Sequence, residues 1–293
     1  MTRAVKVVIP RQFELHFPTS VSQAVRMLSR LEDPKVLAGG QSLVPLMKLR
    51  LVSPANLVDL GRIPGLGYVS REKDNLLFGA MTTHDEVAES QLVGRFCSPL
   101  SEAAGQVGDR QVRNRGTIGG TVCHADPAAD IPAVLLALDA KFRAVGPKGR
   151  RVIRARDFFK DLFTTDLRKG EILTEVQVPV LPPRSGGAYL KLHRGKGDLA
   201  TVGVAATVTL ERSGACKDVR LGLAGVGLTA LRPLEAEDIL KGEKPTERLV
   251  AEAAEKAAQV ARPTSDIMGP AEYKREMVKV YVKRALKRSL GRA

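Results

Sequence analysis

The chain has 293 residues, of which 44% are hydrophobic, and it carries a formal net charge of +14. A chain of this length and composition can bury a sizeable core and is long enough for two or three packed domains. Lys and Arg are spread over the whole chain, and only four Tyr, eight Phe and no Trp are available to stack on bases. The charge therefore permits an anionic cofactor or an acidic protein partner and gives only weak support for nucleic acid.

The cysteines and histidines give no sign of a metal site. The chain contains three cysteines, Cys97, Cys123 and Cys216, and four histidines, His16, His84, His124 and His193. The cysteines lie far apart without a C-x-x-C spacing, and the histidines lack the spacing that places two imidazoles on one helix face. We therefore expect buried free thiols, no disulfide and no metal in this chain.

No segment has the length and apolarity of a secretory or membrane-spanning stretch. Residues 1–17 carry scattered charges, and the longest apolar run, residues 128–140, is interrupted by Asp and Pro. No internal repeat and no low-complexity tract is apparent, which disfavours solenoids and disordered linkers. The sequence thus predicts a cytoplasmic globular protein without a transmembrane segment.

The first part of the chain alternates helical and extended patterns. Apolar periodicity predicts a helix over residues 21–31, a short strand over 35–38 and a second periodic stretch that ends near Leu51. Residues 56–60 and 76–80 are typical of strands, and a turn cluster with Pro64 separates them. This pattern predicts a small α/β subdomain over residues 1–60.

A second cluster of Pro and Gly divides the rest of the chain. Helical patterns at 83–90, 99–107 and 133–138 and a strand at 172–178 predict a second subdomain over residues 61–180, with helix and strand alternating. After the pairs Pro182-Pro183 and Gly186-Gly187, which indicate turns, strands are predicted at 201–211 and 219–226 and helices at 247–261 and 271–290. Residues 181–293 are therefore predicted to form a third domain, and the predicted fold class is α+β.

Two glycine-rich turns carry the chemistry. They lie at residues 37–43, after a predicted strand, and at residues 115–121, before an apolar helix. Paired glycines allow positive φ and close approach to a ligand, so that successive amides point at phosphate oxygens. One such turn is more typical of a tight connection, whereas two suit the two phosphates of a dinucleotide. The chain has no G-x-x-x-x-G-K-[ST] motif, and the glycines at 222–227 show the G-x-G-x-x-G spacing in reverse, which disfavours P-loop and Rossmann sites.

The two turns resemble the FAD pyrophosphate signatures of the medium-subunit family of molybdenum hydroxylases, the carbon monoxide dehydrogenase and xanthine dehydrogenase family. The matching segments are Ala38-Gly39-Gly40-Gln41-Ser42 and Thr117-Ile118-Gly119-Gly120-Thr121, and further similar segments lie at 56–60, 79–84, 112–116, 126–132, 170–173 and 263–273. The resemblance covers essentially the whole chain. It implies a two-part N-terminal FAD-binding α/β domain (PCMH-type) and a C-terminal domain with an antiparallel sheet and a helical bundle.

The resemblance also implies which residues contact FAD. They are Ala38, Gly39, Gly40, Gln41, Ser42, Leu43, Thr82, Thr117, Ile118, Gly119, Gly120, Thr121, Asp126, Asp130, Leu173 and Lys191. The two glycine segments would hold the pyrophosphate, and Asp130 would hydrogen-bond the ribose or adenine side. We expect any side chain added at Gly40 or Gly119 to fill the space that the pyrophosphate needs.

For four positions two interpretations remain open. Thr82 either faces the flavin or caps a helix that starts near Asp85. His124 and Asp126 are either cofactor contacts or simple turn residues. Lys191 either faces the cofactor or is a solvated charge.

No pair of carboxylates and no Ser-His-Asp arrangement indicates acid–base chemistry on the protein, so no catalytic side chain is predicted. In a flavoenzyme the cofactor performs the electron chemistry, and the protein supplies orientation and electrostatics. Asp198 is likewise either a cofactor contact or a loop carboxylate. The Lys and Arg of the last helix are expected to form a solvated face beside an apolar stripe.

The family further implies a function that needs partners. In the relatives a large molybdopterin subunit oxidises the substrate, a small subunit with two [2Fe-2S] clusters carries the electrons, and the FAD subunit passes them to an external acceptor. This chain is accordingly expected to be the medium subunit of an LMS heterotrimer, doubled to a hexamer. The alternatives are a stand-alone FAD-dependent oxidoreductase with its own small-molecule substrate, and a basic nucleic-acid or scaffold protein without flavin.

Overall fold

The structure is a computed structural model that describes residues 9–293. The first eight residues of the expected first subdomain, and of the charged N-terminal stretch, lie outside the described residues. The described part contains three separate sheets of three or more strands, at residues 14–59, 69–179 and 185–224. One such sheet lies in each of the three predicted segments, and the segment boundaries themselves remain a proposal.

The first sheet is small and parallel. Strands β1 (Glu14–His16), β2 (Pro34–Leu37) and β3 (Asn56–Asp59) pair in the order β1-β3-β2. Helix α1 (Val21–Arg30) begins after Ser20, whose hydroxyl accepts the amide of Gln23, and helix α2 (Leu43–Lys48) follows β2. The predicted helix over 21–31 and the strands over 35–38 and 56–60 thus lie within a residue of their observed bounds.

The second sheet is antiparallel throughout, with the order β4-β5-β10-β6-β7. Its strands are β4 (Val69–Glu72), β5 (Asn75–Gly79), β6 (Lys141–Gly146), β7 (Gly149–Arg154) and β10 (Ile172–Pro179). Between β5 and β6 lie α3 (His84–Glu89), α4 (Gln91–Phe96), α5 (Ser98–Gly105), α6 (Arg110–Arg113), α7 (Ile118–His124) and α8 (Asp130–Ala137). After β7 come α9 (Ala155–Phe158) and a hairpin of β8 (Phe159–Asp161) and β9 (Thr164–Thr165). The predicted alternation of helix and strand is therefore wrong here, because six helices follow one another.

The third sheet carries the C-terminal helices. Strands β11 (Ser185–Leu192), β12 (Val202–Leu210) and β13 (Cys216–Ala224) pair antiparallel in chain order. Helices α10 (Leu234–Asp238), α11 (Glu247–Val260) and α12 (Ala271–Leu290) follow, and they share a hydrophobic core with the sheet. In α12 the expected apolar stripe is buried at Val278, Val282 and Ala285. This is the expected C-terminal domain of an antiparallel sheet with helices.

The pair Gly186-Gly187 lies inside β11 rather than in a turn before it. A Cβ on Gly186 would overlap the carbonyl oxygen of Ser289, and a Cβ on Gly187 would lie 2.5 Å from Cγ of Pro99. The two glycines therefore let α12 and α5 approach opposite sides of the same strand. A Cβ on Gly222 in β13 would likewise overlap the carbonyl oxygen of Ala133 in α8. The third sheet therefore packs directly on helix α8, which belongs to the second predicted segment. No helix among residues 9–293 is long and apolar enough to cross a membrane.

Candidate functional site

The first glycine turn connects β2 to α2 and presents a row of free backbone donors. Gly40 has φ +75°, a left-handed conformation that favours glycine. The amides of Gly39, Gly40, Gln41 and Ser42 donate to no acceptor within residues 9–293. Ser42 occupies the N-cap position of α2, yet its hydroxyl caps no amide there. We call residues 39–42 the free-amide turn; its donors are available to an anion, since consecutive amides in such a turn form an anion-binding concavity.

The second glycine segment is built differently from the prediction. Gly119 and Gly120 lie within the first turn of α7, and neither has a positive φ. Thr117 is the N-cap, and its hydroxyl accepts the amide of Gly120 at 3.0 Å. The amides of Ile118 and Gly119 donate to the carbonyls of Thr82 and Ala80, both at 2.9 Å. The expectation that both turns offer successive amides to phosphate is thus corrected, because these amides of α7 are used internally.

The glycines of α7 serve close packing instead. A Cβ on Gly119 would lie 2.5 Å from the carbonyl oxygen of Ala80, so a side chain there would collide with the protein rather than fill a ligand space. A Cβ on Gly120 would lie 2.8 Å from the Thr117 hydroxyl. A substitution at Gly119 would therefore disturb the fold before it could affect a cofactor.

The two predicted turns meet each other in space. A Cβ on Gly39 would overlap the carbonyl oxygen of Arg115 and lie 2.8 Å from Cα of Gly116. The Cβ of Ala38 lies 3.6 Å from the position that a Cβ on Gly120 would take. Contact across some eighty residues of sequence therefore puts the free-amide turn directly against the segment that leads into α7. The sequence pattern singled out both segments, and the structure brings them together.

His84 fixes both ends of this second segment, and no role for it was predicted. Its backbone amide donates to the carbonyl of Gly116 at 2.9 Å, and its Nε2 lies 2.8 Å from the Thr121 hydroxyl. The imidazole is 1% exposed. Burial, with a smaller contribution from the nearby Arg113, lowers its pKa to about 4. His84 is thus a neutral hydrogen-bonding group at neutral pH, and its contact with Thr121 spans 37 residues, which no local pattern reveals.

The helix-capping role considered for Thr82 belongs to its neighbour Thr83. Thr83 is the N-cap of α3 and forms a capping box with Glu86. Thr82 is fully buried, and its hydroxyl donates to the carbonyl of Tyr68 at 2.8 Å. The proposed capping role for Thr82 is therefore wrong. Its carbonyl instead accepts the amide of Ile118 and so supports the start of α7.

A buried polar network joins α8 to β11. The Asp130 carboxylate is 3% exposed and accepts from Lys191 Nζ at 2.8 Å and from the Tyr189 hydroxyl at 2.5 Å. Lys191 Nζ also donates to the carbonyl of Gln106 at 3.1 Å. Burial raises the pKa of the Asp130 carboxyl above its usual value, and the attraction of Lys191 opposes this rise. The Lys191 side chain is 2% exposed, so its interpretation as a solvated charge is wrong.

The remaining predicted residues lie in turns or in the core. Asp126 accepts the amide of Ala128 at 2.9 Å, as an Asx turn does. The half-buried His124 ring lies 5.0 Å from the ring of Phe163, and burial lowers its pKa while Asp126 opposes this. Leu173 is 3% exposed in β10, so its side chain belongs to the core. Asp198 accepts the amide of Gly195 in an exposed loop, as expected of a loop carboxylate.

The described residues hold no metal-binding cluster. Within residues 9–293 no group of three or more His, Cys, Asp or Glu is arranged to hold a metal ion. Cys97 and Cys216 are buried free thiols, and Cys123 is a half-buried one. Burial raises the pKa of the Cys97 thiol to about 12, which makes it unreactive at neutral pH.

The fold and this site define a protein of two parts, in which residues 14–179 carry the free-amide turn and precede an antiparallel sheet with helices. Two family models match the chain accordingly. The FAD binding domain in molybdopterin dehydrogenase matches residues 11–181, and the CO dehydrogenase flavoprotein C-terminal domain matches residues 187–289. The chain belongs to the family of FAD-binding medium subunits of the carbon monoxide dehydrogenase and xanthine dehydrogenase type.

Individual relatives match over nearly their full length. The carbon monoxide dehydrogenase medium chain of Hydrogenophaga pseudoflava is 41% identical over 286 residues, which covers 97% of this chain and 99% of the relative. The 6-hydroxypseudooxynicotine dehydrogenase complex subunit alpha of Paenarthrobacter nicotinovorans is 39% identical and covers 97% and 96%. A solved structure of carbon monoxide dehydrogenase from Hydrogenophaga pseudoflava superposes with a TM-score of 0.95 at 42% identity, over 97% of this chain and 99% of that one. The predicted family and fold class are thereby confirmed.

Proposed function

We propose that this chain is the FAD-binding electron-transfer subunit of a molybdenum hydroxylase and passes electrons from the [2Fe-2S] clusters of a partner subunit to an external acceptor. The observation that carries the proposal is the free-amide turn, whose donors at Gly39 to Ser42 lie against the segment before α7. Bound FAD would supply the electron-accepting chemistry. The chain would supply the position of the cofactor.

The residues at the turn fit a pyrophosphate. The amides of residues 39–42 and the Ser42 hydroxyl would donate to its oxygens, and α7 would hold the turn in place through the contact at Gly39. We retain Thr121, Asp126, Asp130 and Lys191 as proposed contacts. We also retain Thr82, Ile118 and Leu173, whose side chains are buried, as are those of Asp130 and Lys191.

The partners in the proposal are a large molybdopterin subunit and a small iron-sulfur subunit in an LMS heterotrimer, which dimerises in the cytoplasm. Its support is that full-length relatives carry the names of a medium chain and of a complex subunit. These two relatives differ in the substrate that their names print, although their identities to this chain are similar. The substrate of the complex is therefore a property of its partners in this proposal.

FAD binding at the turn can be tested without disturbing the fold. Asp and Asn are both good N-cap residues, so Ser42→Asp and Ser42→Asn should each preserve α2. The aspartate places a negative charge beside the pyrophosphate, whereas the asparagine does not. After incubation with excess FAD and desalting, Ser42→Asn should retain flavin as the unmodified chain does, and Ser42→Asp should bind at least about tenfold more weakly, a cost of about 1.4 kcal/mol. Equal retention in both variants refutes the placement of the pyrophosphate.

The stand-alone alternative is tested with the same flavin-loaded chain. Carbon monoxide, aldehydes and N-heterocycles should each leave it oxidised, because the proposal assigns substrate oxidation to the large subunit. Reduction of the chain alone by any of these substrates, followed as bleaching of the flavin absorption, would support a self-sufficient oxidoreductase instead.

A further inference from the structure

A cleft of about 360 Å³ opens at the free edge of the third sheet. Its floor is β11 at residues 189–191, and its walls are α5 and α12. Glu102 of α5 and Gln106, which directly follows α5, line one side, and Tyr281, Arg284 and Arg288 line it from α12. We call it the β11-edge cleft. None of the glycine residues of the proposed FAD turn lines it.

The backbone of β11 is open toward this cleft. Within residues 9–293 β11 pairs with β12 alone, so alternate residues of β11 point their amides and carbonyls away from the sheet. The outward positions are known from two contacts: the Tyr189 amide donates to Glu102 Oε2 at 2.9 Å, and the Gly187 carbonyl accepts from Arg292 at 2.7 Å. Tyr189 is 1% exposed, so its carbonyl is closed to a partner. The next outward residue is Lys191, whose amide and carbonyl have no hydrogen-bond partner among the residues that the structure describes.

The cleft also has an excess of positive charge. Arg284 has no carboxylate within 4.0 Å in the described part of the chain. Arg288 shares Glu102 with Arg292, which lies closer, at 2.7 Å against 3.4 Å. Arg288 and Arg292 thus share one carboxylate and Arg284 has none, so the guanidinium groups outnumber the carboxylates. Lys191 adds nothing to this excess, since its ammonium pairs with Asp130 inside the protein.

We propose that the β11-edge cleft binds an extended, acidic segment of a partner subunit, which adds to the sheet as a short strand. The segment pairs its main chain with the amide and the carbonyl of Lys191, as in strand addition to other exposed sheet edges. Its carboxylate side chains face Arg284 and Arg288. Glu102 and Arg292 close the edge on one side, so the added strand is confined to the part of β11 near Lys191.

This inference takes from the proposed function only that the chain has partner subunits. Charge and backbone observations together favour a peptide, because a small anion would use the arginines and leave the main-chain edge unpaired. The matching partner chemistry is alternating acidic and apolar residues, since successive side chains of a strand face opposite sides.

The test uses the full chain loaded with FAD and a blocked peptide of alternating Glu and Val as the probe. Binding is measured by anisotropy of a labelled peptide, and pairing is measured by hydrogen exchange at the Lys191 amide. The unmodified chain should bind and protect that amide. Arg284→Glu should weaken binding about tenfold or more. Lys283→Glu reverses the same charge on the neighbouring residue of α12, which does not line the cleft, and should change binding far less.

Several results would overturn the proposal. They are no binding by the unmodified chain, equal losses in Arg284→Glu and Lys283→Glu, and binding that leaves the Lys191 amide unprotected. Equal competition by free glutamate or inorganic phosphate would show a small-anion site, and preference for a polynucleotide would show a nucleic-acid surface. FAD content is measured on the same samples. If the chain holds no FAD but still binds the peptide, the result counts against the proposed function alone. If it holds FAD but does not bind the peptide, the result counts against the docking site alone.

Discussion

The buried pair of Asp130 and Lys191 gives the sharpest stability prediction. The Lys191 and Asp130 side chains are 2% and 3% exposed, and their charged atoms lie 2.8 Å apart. Lys191→Met keeps the aliphatic stem and removes the ammonium, which leaves a buried carboxylate without its counter-ion. Breaking a buried pair in this way costs about 3–5 kcal/mol, so we expect a loss of that size in the free energy of unfolding of the FAD-free chain.

Urea unfolding followed by circular dichroism measures this loss. Lys196→Met is the matched control, because Lys196 lies five residues further on in an exposed loop, and exposed substitutions usually change stability by less than about 0.5 kcal/mol. The double variant Asp130→Asn with Lys191→Met removes both charges and should recover a large part of the loss. Its asparagine can still accept from the Tyr189 hydroxyl.

The pH dependence of this loss has a definite sign. Burial raises the pKa of the Asp130 carboxyl, with Lys191 opposing, and without Lys191 this pKa rises further. A carboxyl whose pKa is higher in the folded state than in the unfolded chain favours folding at low pH, and this contribution is lost as pH rises from about 4. The defect of Lys191→Met should therefore be smallest in acid and grow toward neutral pH. A defect no larger than that of Lys196→Met, or one independent of pH, refutes the reasoning.

Two further predictions concern the contact between the two glycine segments and the histidine that holds the second one. Gly39→Ala should separate the two turns and abolish flavin retention, because its Cβ overlaps the Arg115 carbonyl, whereas Gly94→Ala in α4, where a Cβ meets nothing within 4 Å, should retain flavin normally. Normal flavin content in Gly39→Ala would contradict the contact between the turns. His84 has its pKa lowered to about 4 by burial, so protonation of the unfolded chain should cost the native protein stability progressively below about pH 6.5. Thermal unfolding of His84→Phe should lose this dependence between pH 7 and 4, and an unchanged pH profile would contradict it.

Local patterns predicted the elements whose formation depends on their own residues. Helix α12 has the predicted bounds of 271–290, and α1 ends within one residue of the predicted position. In both, apolar residues recur at helical spacing along a continuous segment. The free-amide turn was also predictable, because a glycine pair after a short strand indicates a turn with positive φ.

What could not be predicted depends on neighbours that are distant in sequence. Gly186 and Gly187 look like turn residues in the sequence. Gly186 nevertheless lies in a strand, where the absence of a side chain lets the end of α12 approach. Gly119 and Gly120 look like a second phosphate turn, yet they are the first turn of a helix whose amides are already bonded. In each case glycine has two uses, positive φ and close approach, and only the position of the opposing backbone decides between them. His84 shows the same limit, since its partners Gly116 and Thr121 belong to another segment.

Lys191 connects the two proposals through a single residue. Its side chain reaches inward to Asp130, at the start of α8, while its amide points away from β12 on the side of the β11-edge cleft. A partner strand paired with that amide would restrict the backbone that carries the Lys191 ammonium. Because Asp130 and Lys191 are proposed FAD contacts, docking at the sheet edge and the environment of the cofactor would then be coupled, and coupling between two sites is reciprocal. Flavin binding should therefore strengthen peptide binding by the same factor by which the peptide strengthens flavin binding, and two titrations in opposite order measure that factor.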